Sequence, residues 1–194
     1  VPLGFGRVYV EIPGKLDGEA WLAGLNAGRS FVTTGPMLLA TVNGKPAGQK
    51  ISVGPDASRN YRVQVECHSP HPFDSVEIIV NGEVARGIDV QTRRTDPGAN
   101  AFNIDATIEI SGSSWIAVRV FTTLPNGRVR FAHSSPVHID IRGRPLRPRK
   151  VEVEYLAGRV RKQIERSTGT LPPAAIAEYR KALAAYERLL PTAR

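Results

Sequence analysis

YRVQVECH (61–68) decides the fold class. Tyr61, Val63, Val65 and Cys67 fall on one side of an extended chain. Arg62, Gln64, Glu66 and His68 fall on the other. A period of two with one apolar side is the pattern of a half-buried strand, because successive strand side chains point to opposite faces. Working outward, AFNIDATIEI (101–110) alternates again, with Phe102, Ile104, Ala106, Ile108 and Ile110 inward. VHIDIR (137–142) sets Val137, Ile139 and Ile141 against His138, Asp140 and Arg142. SVEIIV (75–80) runs through Asn81-Gly82 into EVARGI, a hairpin signal, since both turn residues tolerate positive φ. MLLATV (37–42) and QKISV (49–53) flank a loop opened by Asn43-Gly44. WIAVRVF (115–121) and VRFAH (129–133) flank a turn containing Pro125-Asn126-Gly127. About eight short strands with regular turn signals predict a mainly β chain, an antiparallel immunoglobulin-like β-sandwich. The Cys…Trp…Cys pattern of true immunoglobulin domains is absent. Cys67 is the only cysteine, which excludes an intrachain disulfide and zinc sites of four cysteines or of two cysteines and two histidines.

The two ends read differently. RVYVEI (7–12) is a short strand closed by Pro13-Gly14. A helix is expected from about Gly18 to Ala27, with Asp17 as N-cap, a Leu16–Trp21 staple, Leu22 and Leu25 extending the stripe, and Gly28 ending it. RGRPLRPRK (142–150) carries two prolines and five cations and reads as a linker. Beyond it Val153, Leu156, Val160 and Ile164 share a helix face that Gly169 ends. Pro172-Pro173 opens a second helix with Ile176, Tyr179, Leu183, Tyr186 and Leu190 along a narrow seam. Together they predict a C-terminal α-helical hairpin. The expected division is 1–36, a strand–helix segment and hinge; 37–142, the sandwich; and 143–194, basic linker plus hairpin.

Hydrophobic residues make up 41% and charged residues 23% of 194, an ordinary globular balance. No apolar run reaches the ~20 residues of a membrane-spanning helix. Val1-Pro2-Leu3-Gly4 lacks the basic and apolar regions of a signal peptide, and the missing initial Met points to a processed form or a fragment. Compartment is left open. The net charge of +8 permits an acidic partner. Nucleic-acid binding through 142–150 is disfavoured, because no aromatics interleave the cations for base stacking.

Candidate chemistry is sparse. CHSPHP (67–72) groups metal-capable side chains, but Cys67 and His68 point to opposite faces, and a structural loop is the favoured reading. His133, Ser134, Ser135 and Asp140 contain the residue types of a hydrolytic triad without a G-x-S-x-G elbow. Carboxylates are scattered, with no pair placed for acid–base work. No phosphate loop of the G-x-x-x-x-G-K-[ST] kind occurs. No catalytic residue and no metal ligand is assigned. The hardest stretch to dismiss is 29–36: Arg29, then Thr33-Thr34-Gly35-Pro36 bending before a strand. Such a bend offers an anion nest or a tie between domains, and the tie is favoured.

Four motifs in order carry a resemblance: GRSFVTTGP (28–36), VNGKPAGQ (42–49), VEIIVNGEV (76–84) and AHSSPV (132–137). The chain resembles the C-terminal part of CehA/McbA-type metallohydrolases, whose catalytic domain is of the polymerase-and-histidinol-phosphatase (PHP) kind. GFGRVYV (4–10) looks like the segment entering the end of that barrel, and the helical tail is similar too. Thr34 stands where the family pattern has Asn, Ser134 where Thr is common and His138 where Tyr is common. The resemblance implies metal-dependent hydrolysis for a full-length parent, with His, Asp and Glu ligands in a barrel that these residues do not include. It implies no cofactor in this segment and an upstream catalytic domain as partner; without that barrel Leu3, Val8, Val10, Trp21 and Leu25 lose their partners, so the N-terminal segment is expected to dock on a second copy or to be mobile. Residues 29–36 then become the hinge, and Arg29, Thr33, Thr34 and His133 the candidates for the junction or the pocket rim. The function expected is that of an accessory portion without catalysis of its own. The alternative is a free-standing β-sandwich module that binds carbohydrate or protein.

Overall fold

The computed structural model describes residues 3–96 and 98–194. In chain order they form β1 (Arg7–Val10), α1 (Gly18–Asn26), β2 (Ser30–Thr33), β3 (Met37–Val42), β4 (Lys45–Pro46), β5 (Lys50–Val53), β6 (Asn60–Ser69) and β7 (Ser75–Val80). There follow β8 (Glu83–Asp89), β9 (Arg93–Arg94), β10 (Asn100–Glu109), β11 (Ser114–Thr123), β12 (Val129–Ser134), β13 (Val137–Ile141), α2 (Lys150–Ser167) and α3 (Pro173–Leu189). The chain divides into two compact units, 1–145 and 146–194.

The first unit is a mainly β sandwich of an eight-stranded and a five-stranded sheet. The larger sheet runs β1-β2-β12-β11-β13-β5, with β7 pairing β11 and β8 pairing β7. The smaller runs β4-β3-β6-β10-β9. All these pairs are antiparallel except β13 with β5. The segment 1–36, read as a strand–helix element, supplies β1 and β2 to the edge of the larger sheet.

The core follows from the alternation. Tyr61, Val63, Val65 and Cys67 of β6 are all buried, as are Val76 and Ile78 of β7 and Ile116, Val118 and Val120 of β11. They form one cluster across both sheets, with Phe73 edge-on to Phe102 at 4.6 Å. Removing that apolar area from water is the main favourable term for the unit.

Both Asn-Gly pairs take the turn conformation anticipated, and each asparagine does a second job. Asn43 (φ 48°) and Asn81 (φ 53°) adopt the left-handed conformation such turns need. Asn43 Oδ1 accepts from the Arg62 N–H at 2.8 Å, and Asn81 Oδ1 from the Trp115 N–H at 3.0 Å. Each side chain thus satisfies a strand amide on the neighbouring strand.

Two readings are corrected in this unit. Asn43-Gly44 does not join 37–42 to 49–53. It joins β3 to the two-residue β4, and β5 crosses to the other sheet, where it pairs in parallel with β13. Gly48 (φ 79°) turns the chain across. In α1, Asp17 caps as expected, accepting from the Ala20 N–H at 2.8 Å. However, Leu16 and Leu22 are 70% and 54% exposed, so no apolar stripe is buried there. The helix meets β1 through Gly24 instead, where an added Cβ would lie 2.5 Å from Val10 Cγ1.

The second unit is the expected helical hairpin. Its α2 seam runs through Val153, Ala157 and Ser167, with Leu156 turned outward. Two of the three buried positions, 157 and 167, carry small side chains. Gly169 (φ 83°) ends the helix in the left-handed conformation, as glycine there should.

Candidate functional site

Three of the four quoted motifs meet at one corner of the sandwich. Gly28 (φ 70°) and Gly48 face one another so closely that a Cβ on Gly48 would sit 2.2 Å from the Ala27 carbonyl oxygen. The Gly48 N–H donates to the Pro136 carbonyl oxygen at 2.9 Å, and the Ser135 N–H to the Ser30 carbonyl oxygen at 2.9 Å. Ser30 and Ser135 hydroxyls lie 3.0 Å apart. Ser134 Oγ accepts from the Val118 N–H at 3.0 Å. That amide faces the gap where β12 and β13 part company along β11, and the serine fills it. The fourth motif, 76–84, is the β7–β8 hairpin and lies elsewhere in the sheet.

Beside this corner opens a groove of about 390 Å³. One wall is Tyr9 and Phe31, stacked at 5.1 Å and 7°. The other wall is β3, from Met37 to Thr41. Glu11 and Arg29 are its charged side chains.

The candidate residues are spread over the unit. Arg29 lines the groove, and its Nε donates to the Glu11 carbonyl oxygen at 3.4 Å. Thr33 is 1% exposed. Its hydroxyl donates to the Pro36 carbonyl oxygen at 2.6 Å and accepts from the Gly35 N–H at 2.8 Å, which closes the Thr-Thr-Gly-Pro bend. Thr34 Oγ1 accepts from the Phe131 N–H at 3.0 Å, fastening the bend to β12. His133 is in register with Val32 and Arg119, on the face away from the core, and its Nδ1–H donates to the Ser134 carbonyl oxygen at 2.8 Å. The bend therefore spends its hydroxyls on backbone groups, its own at Thr33 and those of β12 at Thr34.

Among the described residues, the remaining titratable groups lie apart from one another or pair at the surface. His68 Nε2 lies 2.9 Å from Glu66 on the surface, and Asp140 pairs with Lys50 at 2.7 Å. Ser135 is occupied by Ser30, and Ser134 by Val118. Burial pushes the Cys67 thiol far above its ordinary range, so it is no ready nucleophile. Among the described residues no three His, Cys, Asp or Glu side chains are grouped to hold a metal ion. The side chains present thus do not fit the divalent metal implied for a parent enzyme.

No helix among the described residues is long and apolar enough to cross a membrane. The sequence matches no protein-family model and no curated protein. The groove was missed by reading the sequence because its walls come from alternate positions of β1 and β2 opposite β3, and no local pattern announces that meeting.

Proposed function

We propose that this chain is the accessory β-sandwich portion of a PHP-like metal-dependent hydrolase and performs no catalysis itself. The observation that carries the reading is an exposed apolar strip on the outer face of β1, β2 and β12. Val8 and Val32 stand side by side in register, 42% and 43% exposed; their neighbour on β12 is His133, and Phe131, 37% exposed, lies two residues along the same face. Phe131 in turn faces Phe121 across β11. Exposed apolar side chains gathered on one sheet face, here beside His133, mark an interaction site. The occupant proposed is a catalytic domain joined upstream, for which the strip on β1 and β2 is the nearest sheet surface in the chain. The order of the four motifs supports the same parentage.

The test has two parts. The gene's reading frame upstream of Val1 is expected to encode a domain-sized segment with a His-x-His motif. The purified chain is expected to hydrolyse neither nitrophenyl esters nor nitrophenyl phosphates above background with added divalent metal. Chelator-sensitive turnover by the chain alone would refute the proposal.

The groove favours a second reading, a free-standing binding module. Tyr9 is 37% exposed and offers a flat ring with Phe31 beneath it. Saturable perturbation of Tyr9 and Phe31 resonances by a glycan or an extended peptide would support that reading over the first.

A further inference from the structure

A second depression, of about 340 Å³, opens where β1, the Thr34-Gly35 bend, the turn after β6 and the β11–β12 pair meet. Its lining carries Arg7, His71 and Arg130 and no carboxylate. Neither arginine has an ion-pair partner among the described residues; the paired arginines are others. Arg130 is held in place from three sides. Its stem lies on Gly35, where an added Cβ would come within 3.3 Å of it. Its guanidinium carbon sits 4.2 Å from the centre of the Phe5 ring, a cation–π contact. Its Nη1 donates to the Thr34 carbonyl oxygen at 3.2 Å, and its other N–H groups have no hydrogen-bond partner among the described residues. At the floor is Thr122, fully buried, whose hydroxyl has no hydrogen-bond partner. Enclosed hydroxyls without partners are rare, and two arginines brought together without a counter-charge repel one another.

We propose that this depression binds a tetrahedral oxyanion, the phosphate group of a small molecule, between Arg7 and Arg130, with His71 and the Thr122 hydroxyl completing the set of donors. A planar carboxylate is satisfied by one forked guanidinium. Two guanidiniums from separate strands, with an imidazole from a third segment, instead offer more donors than one carboxylate takes and match the three free oxygens of a phosphate ester. The site is independent of the accessory role proposed above, because it uses the opposite side of β1 from the apolar strip, Arg7 alternating with Val8.

The experiment is calorimetric titration of the 194-residue chain with inorganic phosphate, at an ionic strength held constant with sodium chloride. Sodium acetate serves as the planar comparison. Saturable one-to-one binding is expected, with acetate at least about tenfold weaker. Arg7→Gln, an exposed position with little packing to lose, should weaken phosphate by about tenfold or more at unchanged melting temperature. Thr122→Val should move two readouts in opposite directions: a higher melting temperature without ligand, and weaker phosphate binding. Heat that sodium chloride alone reproduces, acetate binding as tight as phosphate, or unaltered phosphate affinity in Arg7→Gln would each overturn the proposal.

Discussion

Replacing Gly48 by alanine tests whether the meeting of the motifs at one corner holds the sandwich together. Gly48 has φ 79°, where a Cβ crowds the backbone, and holding alanine there costs roughly 1–2 kcal/mol. The new methyl would also lie 2.2 Å from the Ala27 carbonyl oxygen, 2.5 Å from the Gly28 carbonyl carbon and 2.7 Å from its oxygen. All three are backbone atoms, so no side-chain rotation relieves the overlap. The β4–β5 connection must move away from the end of α1, straining the Gly48–Pro136 hydrogen bond. Forced displacement of this kind costs typically about 1–3 kcal/mol. The sum is a loss of about 2–5 kcal/mol, a large share of the stability of a domain.

Gly127→Ala supplies the control. Gly127 has φ 77° and nothing within 4 Å of an added Cβ, so it isolates the conformational cost from the collision. Urea unfolding followed by tryptophan fluorescence reads the right unit, since Trp21 and Trp115 both belong to residues 1–145. Gly48→Ala should lower stability by about 1–3 kcal/mol more than Gly127→Ala. Equal losses in the two variants would show that Gly28 and Gly48 do not meet, and the proposed corner would fall with them.

Thr33→Val keeps the shape of a buried side chain but strips the Thr33–Pro36 and Thr33–Gly35 hydrogen bonds; unfolding should register a loss of about 1–3 kcal/mol, and no loss would free the hydroxyl for a ligand. The Arg62 hydrogen bond holds the Asp105 carboxyl below its ordinary range, and the Lys50 hydrogen bond does the same for Asp140. A carboxyl depressed in the folded state stabilises above its unfolded value, and that contribution disappears as pH falls through the folded value. The double variant Asp105→Asn, Asp140→Asn should therefore flatten the loss of stability below about pH 4, measured by denaturant titration at stepped pH; an unchanged acid slope would contradict the pairing.

How much of this was legible in the sequence depended on the range of the interaction. The β6 and β10 faces, the Asn-Gly turns, the Asp17 cap and the Gly169 stop are written in neighbours a few residues apart, and all are found. The path of β5 was hidden because the turn signal at Asn43-Gly44 is genuine but serves a different partner. What redirects the chain is Gly48, whose reason for being glycine is Gly28, twenty positions earlier. Leu156 was placed on the α2 seam because it is the more apolar of two adjacent choices. The structure buries Ala157, one position on, and leaves Leu156 41% exposed.

The candidate residues failed to converge for a related physical reason. A motif that is recognisable along the chain tends to be one whose residues constrain the backbone. Gly28, Gly48, Ser134 and Pro136 act in this way at one corner, and Thr33 does so within the bend at the other end of β2. Groups that spend their hydrogen bonds on the backbone have none left for a ligand. Arg7, His71 and Arg130, which do have donors to spare, come from segments about sixty residues apart in sequence and share no spacing that a linear reading detects. They meet because β1 and β12 flank β2 and because β6 ends beside them, so the depression is a product of topology. If phosphate binds there, the chemistry of this unit lies in residues without any motif, and the motifs describe the frame that brings them together.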